Sequence, residues 1–384
     1  MLRNTRLHAH TPAHPSTCAR LALVAVAALA CTLFAGIAYS ADKAKPSSPS
    51  TQREQLTISP EEAMKPWTGD LDGMIKRRFI RVLTVYSKSF YFVDKGVQRG
   101  AAHDYFRLFE ADLNKKLAKD KAPNQKHLKV NVMFIPVARD ELLPALVDGK
   151  GDIAASNLTV TNERQKLVDF TLPMYPNVSE VVLPGPASPA VSSVEDLGGK
   201  EVFVRKSSSY YESLVALNQR FSAEKKPAVI IKEAPETLED EDLIEMLNAG
   251  LIPLIVVDKH KADLWKQVFS KITVHEDVAV RTGGEVAAAI RKGSPQLKAA
   301  LDDFVVRHRK GASVGNTIMT RYLKSAKYVK DAASESERKK FLGLIQYFQK
   351  YGDKYDVDWL LMAAQGYQNP SSIRPLAARW VPSV

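Results

Sequence analysis

Asp152-Ile153-Ala154-Ala155-Ser156-Asn157-Leu158-Thr159-Val160-Thr161-Asn162-Glu163-Arg164, with Val168-Asp169-Phe170-Thr171-Leu172-Pro173 just beyond it, decides how the chain folds. Asp152 to Ala155 reads as a short strand. Thr161 is placed to cap a helix whose first turn holds Glu163. A loop at the carboxyl end of a strand is where open α/β sheets bind ligands. In such a loop Thr159 and exposed amides suit an anion, and Arg164 suits a carboxylate through a bidentate pair. An ordinary N-cap beside a surface arginine fits the same residues equally well.

Outward from that stretch, strands and helices alternate. Arg81-Val82-Leu83-Thr84-Val85-Tyr86 and Val130-Asn131-Val132-Met133-Phe134-Ile135 read as strands. Between them, 104–118 has helical spacing, with Tyr105, Leu108, Phe109, Leu113 and Leu117 on one stripe. Residues 141–147 form a short helix stopped near Gly149. The second half repeats the alternation. Strands are expected at 178–183, 200–204, 229–231, 254–257 and 286–290, and helices at 211–219, 238–248 and 295–309. The order argues for an α/β fold with crossover connections and two lobes within 80–310. The chain is expected to cross between lobes near 178–186 and 276–284, and ligand binding to close them about these hinges.

The stretch from Asp152 through Arg164, with Asp169-Phe170 to Tyr175, resembles the signature of family 3 periplasmic solute-binding proteins. The resemblance covers about 80–310 and implies a two-lobed periplasmic binding protein type II fold. It also implies that Thr159 and Arg164 hold the carboxylate of an amino-acid-like ligand. A second ligand loop is then Arg205-Lys206-Ser207-Ser208-Ser209, contributing Arg205 and Ser209. Asp258, after Ile255-Val256-Val257, takes the place of the Asp that meets the ligand amino group. An aromatic wall near Tyr86, Phe90 and Tyr91 completes the implied cleft. Three features depart from the pattern. Asn157 replaces a small residue, Arg139 stands where an aromatic stacker is usual, and the serine loop lacks glycines. These departures suggest a more basic pocket than a plain amino-acid site.

The flanks narrow the resemblance. Trp67-Thr68-Gly69-Asp70-Leu71-Asp72, Tyr91-Phe92-Val93-Asp94-Lys95-Gly96 and Ala363-Ala364-Gln365-Gly366-Tyr367-Gln368 are similar to membrane-bound lytic murein transglycosylase F and its relatives. Those proteins join such a binding domain to a lysozyme-like domain that cleaves the glycan of peptidoglycan. The resemblance then implies muropeptide-like ligands, peptidoglycan as a partner and peripheral membrane association. It also implies a short α-helical stub of the lysozyme-like domain at 313–368, including an amphipathic helix at 336–351 and the start of another at 359–367. The family's catalytic Glu follows the Tyr-Gln pair, where this chain has Asn369, and an amide neither gives nor takes a proton usefully. No glycan cleavage and no catalytic residue are therefore expected. The change in character over 369–384 is expected to come from a frameshift, because one inserted base after the Gln368 codon can restore Gln-Glu-Ser.

The N-terminus reads as a secretory signal over 1–41. Arg3, Arg6 and Arg20 precede the apolar run 21–37, which ends in Ala38-Tyr39-Ser40-Ala41. A retained membrane anchor is the competing reading. A linker is expected over 42–66 and the binding domain over 67–312, with lobe 1 at 76–180 and 280–312 and lobe 2 at 184–276. Without the signal, 51 Lys+Arg stand against 43 Asp+Glu, a net charge of +8. Such a balance favours acidic partners, and nucleic acid is discounted for an exported chain. Cys18 and Cys31 both leave with the signal, which excludes disulfides and thiolate chemistry in the mature chain. The histidines show no metal-ligand spacing and read as solvated, so neither metal nor cofactor is expected. The acidic stretch 233–245 reads as a solvated helix start, and Gly283-Gly284 as a turn. Three functions compete: a periplasmic binding protein related to transglycosylase F, the substrate-binding component of an amino-acid ABC transporter, and an enzyme such as a dehydratase on the same fold. The third lacks an evident acid or base.

Overall fold

The structure, a computed structural model, describes residues 60–94, 96–120, 128–326, 347, 350–352 and 354–355. The expected signal, the first part of the linker, most of the 336–351 helix, the 359–367 helix and Asn369 with the tail lie outside the described residues.

The strands are β1 (Phe79–Thr84), β2 (Phe92–Asp94), β3 (Val97–Arg99), β4 (Asn131–Pro136), β5 (Ile153–Thr159), β6 (Asp169–Phe170), β7 (Tyr175–Pro184), β8 (Glu201–Arg205), β9 (Ile230–Ala234), β10 (Leu254–Asp258) and β11 (Ala279–Ile290). Apart from the β2–β3 hairpin they form one sheet, ordered β4-β1-β5-β11-β7-β10-β8-β9, with β6 beside β11. The outer strands on each side pair in parallel, β4-β1-β5 at one end and β10-β8-β9 at the other. Parallel neighbours need a crossover, and helices Ala101–Asp120, Leu142–Val147, Ser209–Ala223 and Asp240–Asn248 supply them. The two long strands β7 and β11 run antiparallel in the middle and occupy both expected crossings between lobes. Gly283-Gly284 thus lies within β11, where the pairing with β7 shifts register, and is not a turn between elements.

Two large cores flank the middle strands. One packs β7, β8 and β10 against helices, with Leu214, Phe221, Ile244 and Trp265 at its centre. The other packs β1, β4 and β5 against the Ala101–Asp120 helix, joined by Phe304. A smaller cluster around Leu83, Leu142, Leu146 and Ala154 covers the opposite face of β1 and β5. With both faces covered, β1 and β10 are buried along their whole length, as suits strands that are apolar except for Arg81 and Thr84 in one and Asp258 in the other. In the long helix Phe106 takes the buried place expected of Leu108, which is exposed. Packing continues past 312: Ile318, Tyr322 and Leu323 join the second core and Ala326 the first.

Arg81, fully buried in the middle of β1, explains why Asp152 opens the central stretch. Its Nη2 lies 3.0 Å from Asp152 Oδ1 and its backbone N 2.8 Å from Oδ2. Arg77 and Arg291 converge on the same carboxylate. Arg81 also donates to the carbonyls of Lys65 and Trp67, so the segment before β1 packs on the domain from residue 60 rather than running free to 66.

Candidate functional site

β5 does not end at Ala155. It continues to Thr159, with Asn157 held at φ 53 and an irregular register against β11. That left-handed residue, tolerated by Asn, turns the strand end. Thr161 then caps helix Asn162–Leu167, its Oγ1 accepting from the Arg164 amide at 3.3 Å. The cap fixes where Arg164 points. Its Nη1 donates to the Thr159 carbonyl and its Nη2 to the Ser207 carbonyl on the other side of the cleft, both at 2.9 Å. Carbonyls orient a guanidinium but do not neutralise it. The nearest carboxylate is Glu212 at 3.4 Å, and Glu212 is part-exposed. Burial, the largest influence, lowers the Arg164 pKa despite Glu212.

A cavity of about 410 Å³ opens beside these groups, lined by Arg139, Asn157, Thr159, Arg164, Arg205, Ser207 to Ser209 and Lys261 among others. Ser208 caps helix Ser209–Ala223, accepting from the Tyr211 amide, and so presents Ser209, whose Oγ donates to Thr159 Oγ1 at 3.2 Å across the cleft. Six of the nine sequence-predicted site residues therefore line one cavity. Asp258 sits immediately behind it, accepting from Asn157 Nδ2 at 2.6 Å. Tyr86 and Tyr91 do not join the lining. Their rings pair at 5.6 Å, and Tyr91 stacks on Phe134 at 5.5 Å, which holds both against the β4 side; Tyr86 is exposed.

The pocket is less basic than its sequence suggests, because acids neutralise its cations. Arg139 makes a two-pronged pair with Glu239, Nε to Oε1 at 2.7 Å and Nη2 to Oε2 at 2.5 Å, and rests Nη1 on the Ser156 carbonyl. Burial would lower its pKa, but Glu239 outweighs burial and raises it. Arg205 pairs with Asp240, whose other oxygen accepts from Lys261 Nζ at 2.6 Å and Tyr210 Oη at 3.0 Å. Burial alone would raise Asp240; Arg205 and Lys261 win and hold it far below the usual carboxylate range. Glu241, also buried, accepts from Ser87 Oγ at 3.0 Å and the Lys88 amide at 2.5 Å. The helix start expected to be solvated thus buries three consecutive acids, Glu239, Asp240 and Glu241, two of which bridge the cleft.

Sequence reasoning missed Glu239, Asp240, Glu241 and Lys261. A signal existed: Glu239 and Asp242 form a reciprocal capping box, which fixes the entry angle of that helix. His260, expected in solvent, is buried too, with Nε2 at 3.1 Å from Asn157 Oδ1.

The model of the family described as bacterial extracellular solute-binding proteins, family 3, matches residues 80–324. Among curated relatives, membrane-bound lytic murein transglycosylase F of Pseudomonas putida is 25% identical over 300 residues, 75% of this chain and 56% of that protein. The protein of the same name from Methylobacillus flagellatus is 25% identical over 319 residues, 82% of this chain and 62% of that protein. The chain thus spans between half and two thirds of the length of these relatives. Among solved structures, a putative L-cystine ABC transporter protein from Listeria monocytogenes superposes with a TM-score of 0.53 at 19% identity, covering 64% of this chain and 96% of that one. An arginine-bound amino acid ABC transporter substrate-binding protein from Streptococcus pneumoniae gives 0.51 at 20% identity, covering 66% and 98%. At such identities these two establish the fold.

Proposed function

The chain belongs to the bacterial extracellular solute-binding proteins, family 3, and from that premise we propose that its cleft binds the carboxylate of an amino-acid-like or muropeptide-like ligand in the periplasm. Arg164 carries the reading. It is a buried guanidinium oriented by two carbonyls, at the wall of a cavity, and its ion-pair partner among the described residues is the part-exposed Glu212 at 3.4 Å. A ligand carboxylate supplies the missing counter-charge, with Thr159 and Ser209 hydroxyls within the same lining. The similarity to transglycosylase F supports wall-derived ligands over free nutrients; glycan cleavage is not part of the proposal.

Bonds that bridge the cleft support closure around the ligand. Glu239 to Arg139, Glu241 to Ser87 and Arg164 to Ser207 each join the two sides, so opening the cleft breaks them together. The test is a thermal-shift screen of L-amino acids, dipeptides and muropeptide stems at pH 7. A ligand at one hundred times its Kd stabilises the fold by about 2.7 kcal/mol. Stabilisation by ligands with a free main-chain carboxylate, absent when that carboxylate is amidated, is expected. Equal stabilisation by both removes Arg164 from the recognition step.

A further inference from the structure

We propose that the cleft accommodates one ligand carboxylate, any further carboxylate of a larger ligand staying outside it, and that Glu239 enforces this choice by occupying Arg139. The proposal rests on the reading of Arg164 as the carboxylate clamp and names the substrate class of that same site.

Four buried cations border the cavity, and the structure treats them differently. Arg139 spends both prongs on Glu239 and a further N–H on Ser156. Arg205 and Lys261 share Asp240, and Lys261 lies 3.5 Å from Asp258 as well. Arg164 alone of these four has its two terminal nitrogens on carbonyl oxygens. The opposite responses of Arg139 and Arg164 to similar burial follow from that difference in partners. One ligand carboxylate therefore finds an under-compensated cation. A second would be desolvated among cations already neutralised and beside Glu239 and Asp240, which is unfavourable. What remains for the rest of the ligand is neutral: Arg205 Nε is buried with no hydrogen-bond partner among the described residues and suits an amide or hydroxyl oxygen.

Replacing Glu239 by Gln keeps the side chain's shape and leaves Arg139 charged and unpaired at the cavity wall. A second carboxylate then has a partner. The same substitution weakens a bond across the cleft, which lowers every ligand's affinity alike, so the quantity to read is a ratio. Isothermal titration should compare isosteric pairs that differ by one charge: L-glutamine with L-glutamate, L-asparagine with L-aspartate, and the L-alanyl dipeptides of each. In the wild type the amides should bind at least about tenfold more tightly than the acids, the worth of one charge-assisted bond. In Glu239→Gln the acid-to-amide ratio should rise about tenfold or more. In the double variant Arg139→Gln/Glu239→Gln, which removes both charges, it should return to the wild-type value.

A wild type that binds acids as tightly as amides overturns the proposal, and so does an unchanged ratio in Glu239→Gln. If Arg164→Ala abolishes amide binding while the Glu239→Gln ratio stays fixed, only the selectivity falls and the clamp stands. If Arg164→Ala binds the amides like the wild type, or no amide probe binds the wild type, both readings fall.

Discussion

His260→Gln should flatten the acid side of the stability curve. His260 sits on helix Lys259–Lys266, buried against Tyr175 and Asn157. The surrounding bonds fix its tautomer. Asn157 Nδ2 donates to Asp258 Oδ2, so Asn157 Oδ1 is the acceptor and His260 Nε2 the donor. Nδ1 is then the bare nitrogen, and it is buried without a partner among the described residues. Protonation would add a charge and an unpaired donor there. Asp258 Oδ2 at 4.0 Å favours the charge, whereas Lys261 and Lys310 oppose it. Burial, the largest influence, brings the pKa down from 6.5 to about 4. Because the folded value is the lower one, the contribution to stability is complete above about pH 6.5 and is lost as pH falls toward 4. That gap converts to roughly 3 kcal/mol at full protonation. Glu180 and Glu241, both raised first by burial, change in the opposite sense over the same range. The wild-type curve therefore mixes slopes, and the difference between wild type and variant isolates His260. Urea unfolding at pH 7.0, 6.0, 5.0 and 4.0 measures it. Gln can still donate to Asn157 Oδ1, so the loss at pH 7 should be small. Parallel curves for the two proteins from pH 7 to 4 would refute the buried-neutral assignment.

Asp152→Asn leaves Arg81 buried without its counter-charge and should cost about 3–5 kcal/mol, read as a fall of roughly 6–20 °C in Tm; a loss near zero would show that the carbonyl partners alone hold Arg81. Tyr105→Phe removes a buried hydroxyl with no partner among the described residues and should stabilise by about 1 kcal/mol in urea unfolding, whereas destabilisation of that size would mean the hydroxyl is satisfied. Gly100→Ala should cost about 1–3 kcal/mol in the same measurement, because φ is +124° and a Cβ would lie 2.3 Å from the Phe90 carbonyl oxygen; an unchanged midpoint would contradict that packing.

Strand and helix positions were legible because burial repeats in sequence. The runs at 79–84, 131–136 and 254–258 are mostly apolar, and the helices between them carry 3.6-residue stripes. Element ends were less legible. β5 runs four residues beyond its apolar start, past Ala155, because β11 continues to pair with it through Thr159, a tertiary fact with no local signature. The same holds for β11, whose Gly283-Gly284 looks like a turn in isolation yet lies against Val178 of β7. In the site, local cap chemistry pointed to Thr159 and Arg164 without deciding their role, whereas Arg205 and Ser209 came from the family resemblance; the structure brings all four to one cavity. Their partners were not legible. A run such as Glu239-Asp240-Glu241 has the composition of a solvated helix start, and only the juxtaposition of Arg139, Arg205 and Ser87 turns it inward. Local sequence reports which groups can bear charge, and the fold decides which charges are neutralised.

Arg164 carries the assignment of the cleft, and titration of the wild type, Arg164→Ala and Lys150→Ala with the same carboxylate ligand tests it most directly. Lys150, just before β5 and outside the cavity lining, is exposed and pairs with Asp148. Arg164→Ala should weaken binding by on the order of one hundredfold, the loss of a bidentate charge-assisted pair, about 3 kcal/mol. Lys150→Ala should match the wild type. Binding by Arg164→Ala within about twofold of the wild type, less than one neutral hydrogen bond, would contradict the assignment of the cleft.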